Sequence, residues 1–337
     1  MFRRFLCALL AIACVSSLGL TQTDYQKQFW NKSTLEERLG TDDGAALAIL
    51  FGANMRGNME LCDCNYPRGG VSRRVGYVEA FKKKFKDTPV VQVEGGFFFY
   101  PTEGYPLVDL QNDQVAIAYS RWTPDVINLG RDDMLRARKL FAREGLSERV
   151  QALPMIKSVI SANCVFGPDA APPPAYTIKE VGGPRIFNGK KKLKIGFIGV
   201  AGPHAPGDGL RDATVRDMFE ATTKAVIKAR KECDVLVLIA HCELEPALKL
   251  AEQNLDLDIV IAADSGGIYN PRQVGNTLVV SAAPGNIHEG DLRLYLDSEG
   301  HITYKFRSND LDSMVPPDPA AEAFVRAAHA DRDRVRN

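Results

Sequence analysis

The sequence lacks a net charge: 42 lysines and arginines stand against 42 aspartates and glutamates. No overall field therefore draws the chain to nucleic acid or to an anionic membrane, and any such role must rest on local charge. It lacks an internal repeat, and it lacks an apolar run long enough to cross a bilayer comfortably. It also lacks an even number of cysteines beyond the first twenty residues. What remains, 45% hydrophobic and 25% charged residues, is ordinary globular material for one large or two modest domains.

The opening MFRRFLCALLAIACVSSLGL places Arg3 and Arg4 before an apolar run from Phe5 to Val15, followed by small residues. This predicts a secretory signal peptide over residues 1–19 and an exported, periplasmic or extracellular protein. Release after Gly19 is the preferred reading. The segment Ala11-Ile12-Ala13-Cys14 faintly resembles a lipoprotein signal, which would acylate Cys14 and tie the chain to a membrane. Outside the cytoplasm a thiol is expected to be paired, metal-bound or buried. Cys62, Cys64, Cys164, Cys233 and Cys242 remain, so a monomer keeps at least one of them unpaired.

Residues 20–44 are polar and read as a tether ending in a short helix. Thereafter the apolar runs ALAILFG, PVVQVEG, VINLG, SVISAN, KIGFIGV, DVLVLIAH, LDIVIAA and NTLVVSAA alternate with polar or amphipathic segments. Continuous apolar strands need cover on both faces, which predicts a layered α/β domain over 45–308. Helices are expected over Gly70 to Lys86, Asp132 to Glu144, Thr214 to Glu232 and Pro246 to Asn254. In the first, Arg73, Arg74, Lys82 and Lys83 are expected on a solvated face. Residues 167–176, GPDAAPPPAY, read as a stiff loop, and DLRLYLDSEGHITYKFR as a hairpin. Residues 309–337 form a proline-broken linker and a closing helix.

Several phrases stand in an order that resembles the calcineurin-like metallophosphoesterases, in particular their exported 5′-nucleotidase and UDP-sugar hydrolase branch. These are the glycine turn with Glu60-Leu61-Cys62-Asp63-Cys64, then Gly69-Gly70-Val71-Ser72-Arg73-Arg74, Val93-Glu94-Gly95-Gly96, Asn128-Leu129-Gly130, Ser161-Ala162-Asn163, Ile195 to Val200, and Ile239-Ala240-His241. The resemblance covers about Ala45 to Arg307. It implies a two-sheet, four-layer α/β/β/α sandwich with two divalent ions (Mn, Zn or Mg in an active member) at strand ends, where such ions would generate hydroxide and stabilise a leaving oxygen.

The positions that the resemblance assigns to metal ligands are mostly altered. The first aspartate and histidine fall on Asn54 and Arg56, and the bridging carboxylate on Gly96. The family's Gly-Asn-His-Glu asparagine and histidine fall on Arg131 and Asp132. His241 keeps its match, and the last histidine pair falls on Asp264 and Gly266. Asn54, His241 and Asp264 retain coordinating atoms; the glycines and arginines do not. A guanidinium about 5 Å from a divalent ion repels it by about 6 to 7 kcal/mol at an effective dielectric near 20. The expectation is therefore no cofactor, with Arg56 and Arg131 left to bind an anion, such as a phosphate-containing small molecule.

Structural roles compete at each position. His241 reads as a hydrogen-bonded remnant, Asn54 and Asp264 as turn residues, and Asp132 with Asp133 as a helix start. Asp132, Asp133 and Asp264 could instead neutralise both arginines. A bridge from Cys62 or Cys64 to Cys164 or Cys242 is one reading, with a zinc or redox site as the lesser alternative, and Cys164 and Cys233 read foremost as buried small apolar side chains. A bridge from Cys233 to Cys242 is excluded, because they flank one extended strand. The functional expectation is a non-catalytic anion- or partner-binding module. The alternatives are a working phosphoesterase with weak candidates Asp132 and His241, or a structural subunit bound to an envelope protein. The family's large C-terminal substrate domain has no counterpart in the sequence, which weighs against nucleotide specificity.

Overall fold

A computed structural model describes residues 33–142, 154–168, 170–186, 192–203, 213–299 and 301–336. The expected leader 1–19, Cys14 and the first part of the tether lie outside the described residues. The tether does end in a helix, α1 (Leu35–Leu39), where Thr34 and Glu37 bond reciprocally to each other's backbone N–H.

The chain then runs through β1 (Leu47–Gly52), α2 (Val71–Lys84), β2 (Val90–Glu94), α3 (Pro106–Arg121), β3 (Val126–Asn128), α4 (Met134–Ala142), β4 (Val159–Ile160), β5 (Cys164–Phe166) and β6 (Tyr176–Val181). It continues through β7 (Leu193–Ala201), β8 (Ala213–Val215), α5 (Met218–Ala229), β9 (Val235–His241), α6 (Leu244–Gln253), β10 (Ile259–Ala262), β11 (Arg272–Val274), β12 (Thr277–Ser281), β13 (His288–Leu296), β14 (Ile302–Asp310) and α7 (Pro319–Arg336). One sheet has the order β14-β13-β1-β2-β3-β4 and the other β11-β12-β10-β9-β7-β6. Each apolar run singled out in the sequence is a strand of one of them, and the expected hairpin is β13 with β14.

Within each sheet the central strands are parallel, so β1, β2 and β3 end together, as do β7, β9 and β10. The inner faces of the two sheets meet in one apolar layer, with Ile49, Phe51, Val91 and Val93 against Ile195, Phe197, Val237 and Ile239. Helices α5 and α6 cover the outer face of the second sheet. Helices α2, α3 and α7 cover the first, with Val325 and Ala328 of α7 inside its core. The architecture is the four-layer α/β/β/α sandwich.

Two local expectations need correction, and one helix has no counterpart among them. Arg74 is not on a solvated face: from α2 its side chain, 12% exposed, turns inward and pairs with Glu94 at 2.6 Å and Glu289 at 3.0 Å. Burial disfavours its charge, but Glu289 and Glu94 outweigh that and hold the guanidinium well above its ordinary range. The helix expected from Thr214 starts at Met218, because Asp217 caps it by accepting from the Glu220 N–H, while Thr214 pairs with Val165 in a strand. Helix α3 went unread because its buried face carries Asn112 and Gln114, which break the apolar period. Their amides bond to the Tyr100 backbone and to the Ala328 carbonyl.

Removing the Arg74 charge would strand Glu94 and Glu289 in the interior. Arg74→Met is expected to lower the unfolding free energy by about 3–5 kcal/mol, read from the urea midpoint at unchanged slope. A loss below about 1 kcal/mol would show that the carboxylates tolerate isolation.

Candidate functional site

The carboxyl ends of both sheets converge, and the loops that leave them supply the candidate residues. After β1 the chain turns sharply, with Asn54 at φ 63° and Arg56 at φ 53°; after β2, Gly96 and Phe97 also hold positive φ, at 119° and 57°. Positive φ is costly for non-glycine residues, on the order of 1–3 kcal/mol each, and clusters where surrounding contacts over-determine the backbone. Here the contacts are backbone bonds between the two loops: Asn54 N–H donates to the Gly96 carbonyl and Arg56 N–H to the Phe97 carbonyl, both at 2.9 Å.

Asn54 and His241 are brought together and are both buried. The Asn54 amide nitrogen donates to the Ala263 carbonyl at 2.6 Å, which turns its oxygen toward His241 Nε2 at 3.1 Å. The imidazole therefore carries its proton on Nε2, and Nδ1 is left without a hydrogen-bond partner among the described residues. Burial pushes the His241 pKa down to about 4; Asp132 opposes this, and Arg131 and Arg56 reinforce it. The Phe97 ring stands edge-on to the imidazole at 6.2 Å, and the exposed Arg56 guanidinium lies over the other side of the site, 5.0 Å from the Phe97 centroid.

A short helical turn, Arg131–Asp133, opens α4, as expected of that acidic pair. Its two aspartates have different tasks. Asp133 is fully buried and accepts the N–H groups of Phe97, Phe99 and Gly130, clamping the β2 and β3 loops together. Burial pushes its carboxyl up to about 8 against the pull of those donors. Asp132 faces outward and pairs with Arg131 at 3.1 Å. Asp264 is half-buried, its carboxyl raised by burial while Arg131 and Arg56 pull it down and Asp132 pushes it up. Arg56, Arg131, Asp132, Asp264 and His241 thus share one electrostatic neighbourhood. Asp132 engages Arg131, Asp133 is committed to backbone N–H groups, and Arg56 rests on the Phe97 ring.

The place of the bridging carboxylate is closed. A Cβ on Gly96 would lie 2.7 Å from the Gly130 nitrogen and 3.0 Å from His241 Cδ2. Gly266 is exposed with no atom near its Cβ direction. Among the described residues no three His, Cys, Asp or Glu side chains group so as to hold a metal ion.

Cys164 is buried as the sequence suggests, but the long-range bridge from the Cys62 and Cys64 loop is replaced by a local one. Cys62 is bonded to Cys64, and Cys164, Cys233 and Cys242 are free. Cys164 packs into the core outside the first sheet and Cys242 into the core outside the second, so neither reaches the Cys62–Cys64 loop or forms a joint thiol site with it. Side-chain alternation explains this: Asn163 and His241 point inward, and the following residues point away.

Sequence reasoning missed Asn128 and Asn163 as site-building residues. The Asn128 amide donates to the Gly95 and Val200 carbonyls at 3.0 Å, and Asn163 both donates to the Ala201 carbonyl and accepts from its N–H. Each sits at the end of an apolar run, which was the available signal.

Comparison of the sequence with family profiles and with curated proteins returns no match. The fold matches solved structures. The 5′-nucleotidase precursor of Thermus thermophilus superposes with TM-score 0.68 at 19% identity, covering 85% of this chain and 58% of that one. The calcineurin-like phosphoesterase YfkN of Bacillus subtilis gives 0.64 at 18%, covering 87% and 99%. The chain carries the calcineurin-like metallophosphoesterase fold. Thermus thermophilus sulfate thiohydrolase SoxB shares this metallophosphoesterase fold with TM-score 0.66 at 17% identity, covering 86% and 61%. The chain therefore spans about three-fifths of the 5′-nucleotidase and SoxB structures.

Two measurements follow from the packing around His241. Gly96→Ala places a Cβ against backbone at a φ that only glycine tolerates, and is expected to cost about 2–4 kcal/mol in urea unfolding; a neutral effect would mean that the two loops separate easily. A base whose folded pKa is depressed binds fewer protons folded than unfolded, so its contribution is present above pH 6.5 and is lost as pH falls toward 4. Relative to His241→Asn, the wild type is expected to lose up to about 3 kcal/mol across that window. A pH-independent difference would contradict the burial of a neutral imidazole.

Proposed function

We propose that this metallophosphoesterase-fold protein forms no dinuclear metal centre and instead presents Arg56 and Arg131 to an oxyanion, of which phosphate monoesters are the best-matched class. The observation that carries the reading is the mutual commitment of Asn54 and His241. The amide oxygen accepts the imidazole proton, the amide nitrogen is held by Ala263, and Gly96 leaves no room for a bridging carboxylate. The residues present do not fit a pair of divalent ions. Two guanidiniums in the same cleft favour negative charge, and their planar forks suit phosphate oxygens. Asp132 competes for Arg131, so a bound anion would have to displace that contact or share it. Export through residues 1–19 belongs to the same reading.

A second reading keeps hydrolysis, with one metal held by Asn54, His241 and Asp264. It would require His241 either to give up its Nε2 proton, freeing Asn54 from its present partner, or to ligate through the unprotonated Nδ1 that is buried against Gly130. The depressed basicity of the imidazole is the feature that favours it, since a neutral ring can ligate.

Calorimetric titration with inorganic phosphate and with adenosine monophosphate separates the readings. Saturable binding is expected, weakened about tenfold or more by Arg56→Ala and by Arg131→Ala, with less than one equivalent of Mn or Zn retained after dialysis. Flat titrations would remove the anion reading. Stoichiometric metal with turnover lost in His241→Ala would establish the hydrolase.

A further inference from the structure

The Cys62–Cys64 bridge lies on the loop between the turn that carries Asn54 and Arg56 and helix α2, and the proposed anion reading makes no use of it. Cys64 is exposed and Cys62 half-exposed. The base of the loop is fixed. Cys62 N–H donates to the Arg68 carbonyl at 2.9 Å, Arg68 in turn is salt-bridged to Asp310, and Arg73 donates to the Pro67 carbonyl. A bridge between residues two apart restricts the unfolded chain far less than a long-range one, so holding the fold together is a poor account of it. The remaining thiols cannot exchange with it. Burial pushes Cys164 and Cys242 up to about 12, and Cys233 donates to the Ala229 carbonyl behind α5.

The two sulfurs differ in what surrounds them. The Arg68 backbone N–H points at Cys62 Sγ from 3.3 Å, while the Tyr66 carbonyl oxygen lies 3.0 Å from Cys64 Sγ and farther, 3.9 Å, from Cys62 Sγ. A thiolate is stabilised by an N–H donor, and a protonated thiol by a carbonyl acceptor. The loop therefore already offers Cys62 the partner of an anion and Cys64 the partner of an S–H, and reduction requires the two sulfurs to separate to non-bonded contact.

We propose that Cys62–Cys64 is a thiol–disulfide exchange centre that oxidises thiols of a partner, with Cys64 the sulfur attacked and Cys62 the leaving group. An incoming thiolate forms a bond to Cys64 Sγ. The Cys62–Cys64 bond breaks, and its electron pair goes to Cys62 Sγ beside the Arg68 N–H. A second thiolate of the partner then attacks the partner sulfur of the mixed disulfide, forming the partner's disulfide and expelling Cys64 as thiolate, which takes a proton and bonds to the Tyr66 carbonyl. Two thiols are oxidised, one disulfide is reduced, and the two protons released by the partner are balanced by those taken up at Cys62 and Cys64. The substrate class is a thiol reaching an exposed loop tip.

The test uses the oxidised full chain with reduced glutathione, acid-quenched and mapped by mass spectrometry. The expected result is a glutathione adduct at Cys64 followed by the Cys62–Cys64 dithiol, with Cys164, Cys233 and Cys242 unmodified. In Cys62→Ser treated with oxidised glutathione, the Cys64 adduct should persist at least about tenfold longer than in the wild type, since the attacking thiol is absent. Reduction of the wild type should move its thermal midpoint by less than about 3 °C. An intact bridge after prolonged incubation, an adduct mapped to Cys62, or a larger thermal shift would each overturn the proposal. Loss of phosphate binding in the Arg56 and Arg131 variants bears on none of these outcomes, so the two readings fail separately.

Discussion

Buried side-chain amides and one buried carboxylate hold the carboxyl ends of the two sheets together. Asn54 reaches from the β1 loop to Ala263 after β10 and to His241 at the end of β9. Asn128 ties β3 to β7, and Asn163 ties the end of β4 to the end of β7. Asp133 closes the set by gathering three backbone N–H groups from two loops. Buried polar groups are costly when unsatisfied; here each of these side chains bonds to backbone or to its neighbour, with Asn128 Oδ1 and His241 Nδ1 left over among the described residues. The strained backbone at Asn54, Arg56 and Phe97 persists because this network over-determines it.

The same network bears on chemistry. Two divalent ions would draw the loops together through carboxylate and imidazole ligands; here neutral amides draw them together and glycine backbones fill the space. On the reading proposed above, Arg56 and Arg131 supply the positive charge at the rim that an oxyanion would meet.

Most of the fold was legible in the sequence, because the central strands are covered on both faces and read as unbroken apolar runs. The elements that escaped lie where polarity and burial coincide. Helix α3 carries Asn112 and Gln114 on its inner face, and Arg74 belongs to a buried ion triad although its neighbours Arg73 and Lys82 are ordinary surface residues. Periodicity cannot reveal that a charged residue is paired by Glu94 and by Glu289, the latter more than two hundred positions away along the chain. At the site, the positions of Asn54, Arg56, Gly96, Arg131, Asp132, His241 and Asp264 were legible through resemblance. Their connections were not. The closure of the Gly96 position depends on the Gly130 backbone, and the separation of Cys164 and Cys242 depends on which outer core each side chain enters.

The central claim is that His241 Nε2 donates to Asn54 and is closed to a metal, while the unprotonated Nδ1 lies buried against Gly130. Nitrogen-15 NMR of the His241 ring at neutral pH measures this directly. The account predicts a protonated Nε2, an unprotonated Nδ1, no change on adding zinc and no paramagnetic broadening with manganese. A zinc-induced shift of either ring nitrogen, with manganese broadening confined to His241, Asp264 and Asn54, would contradict it.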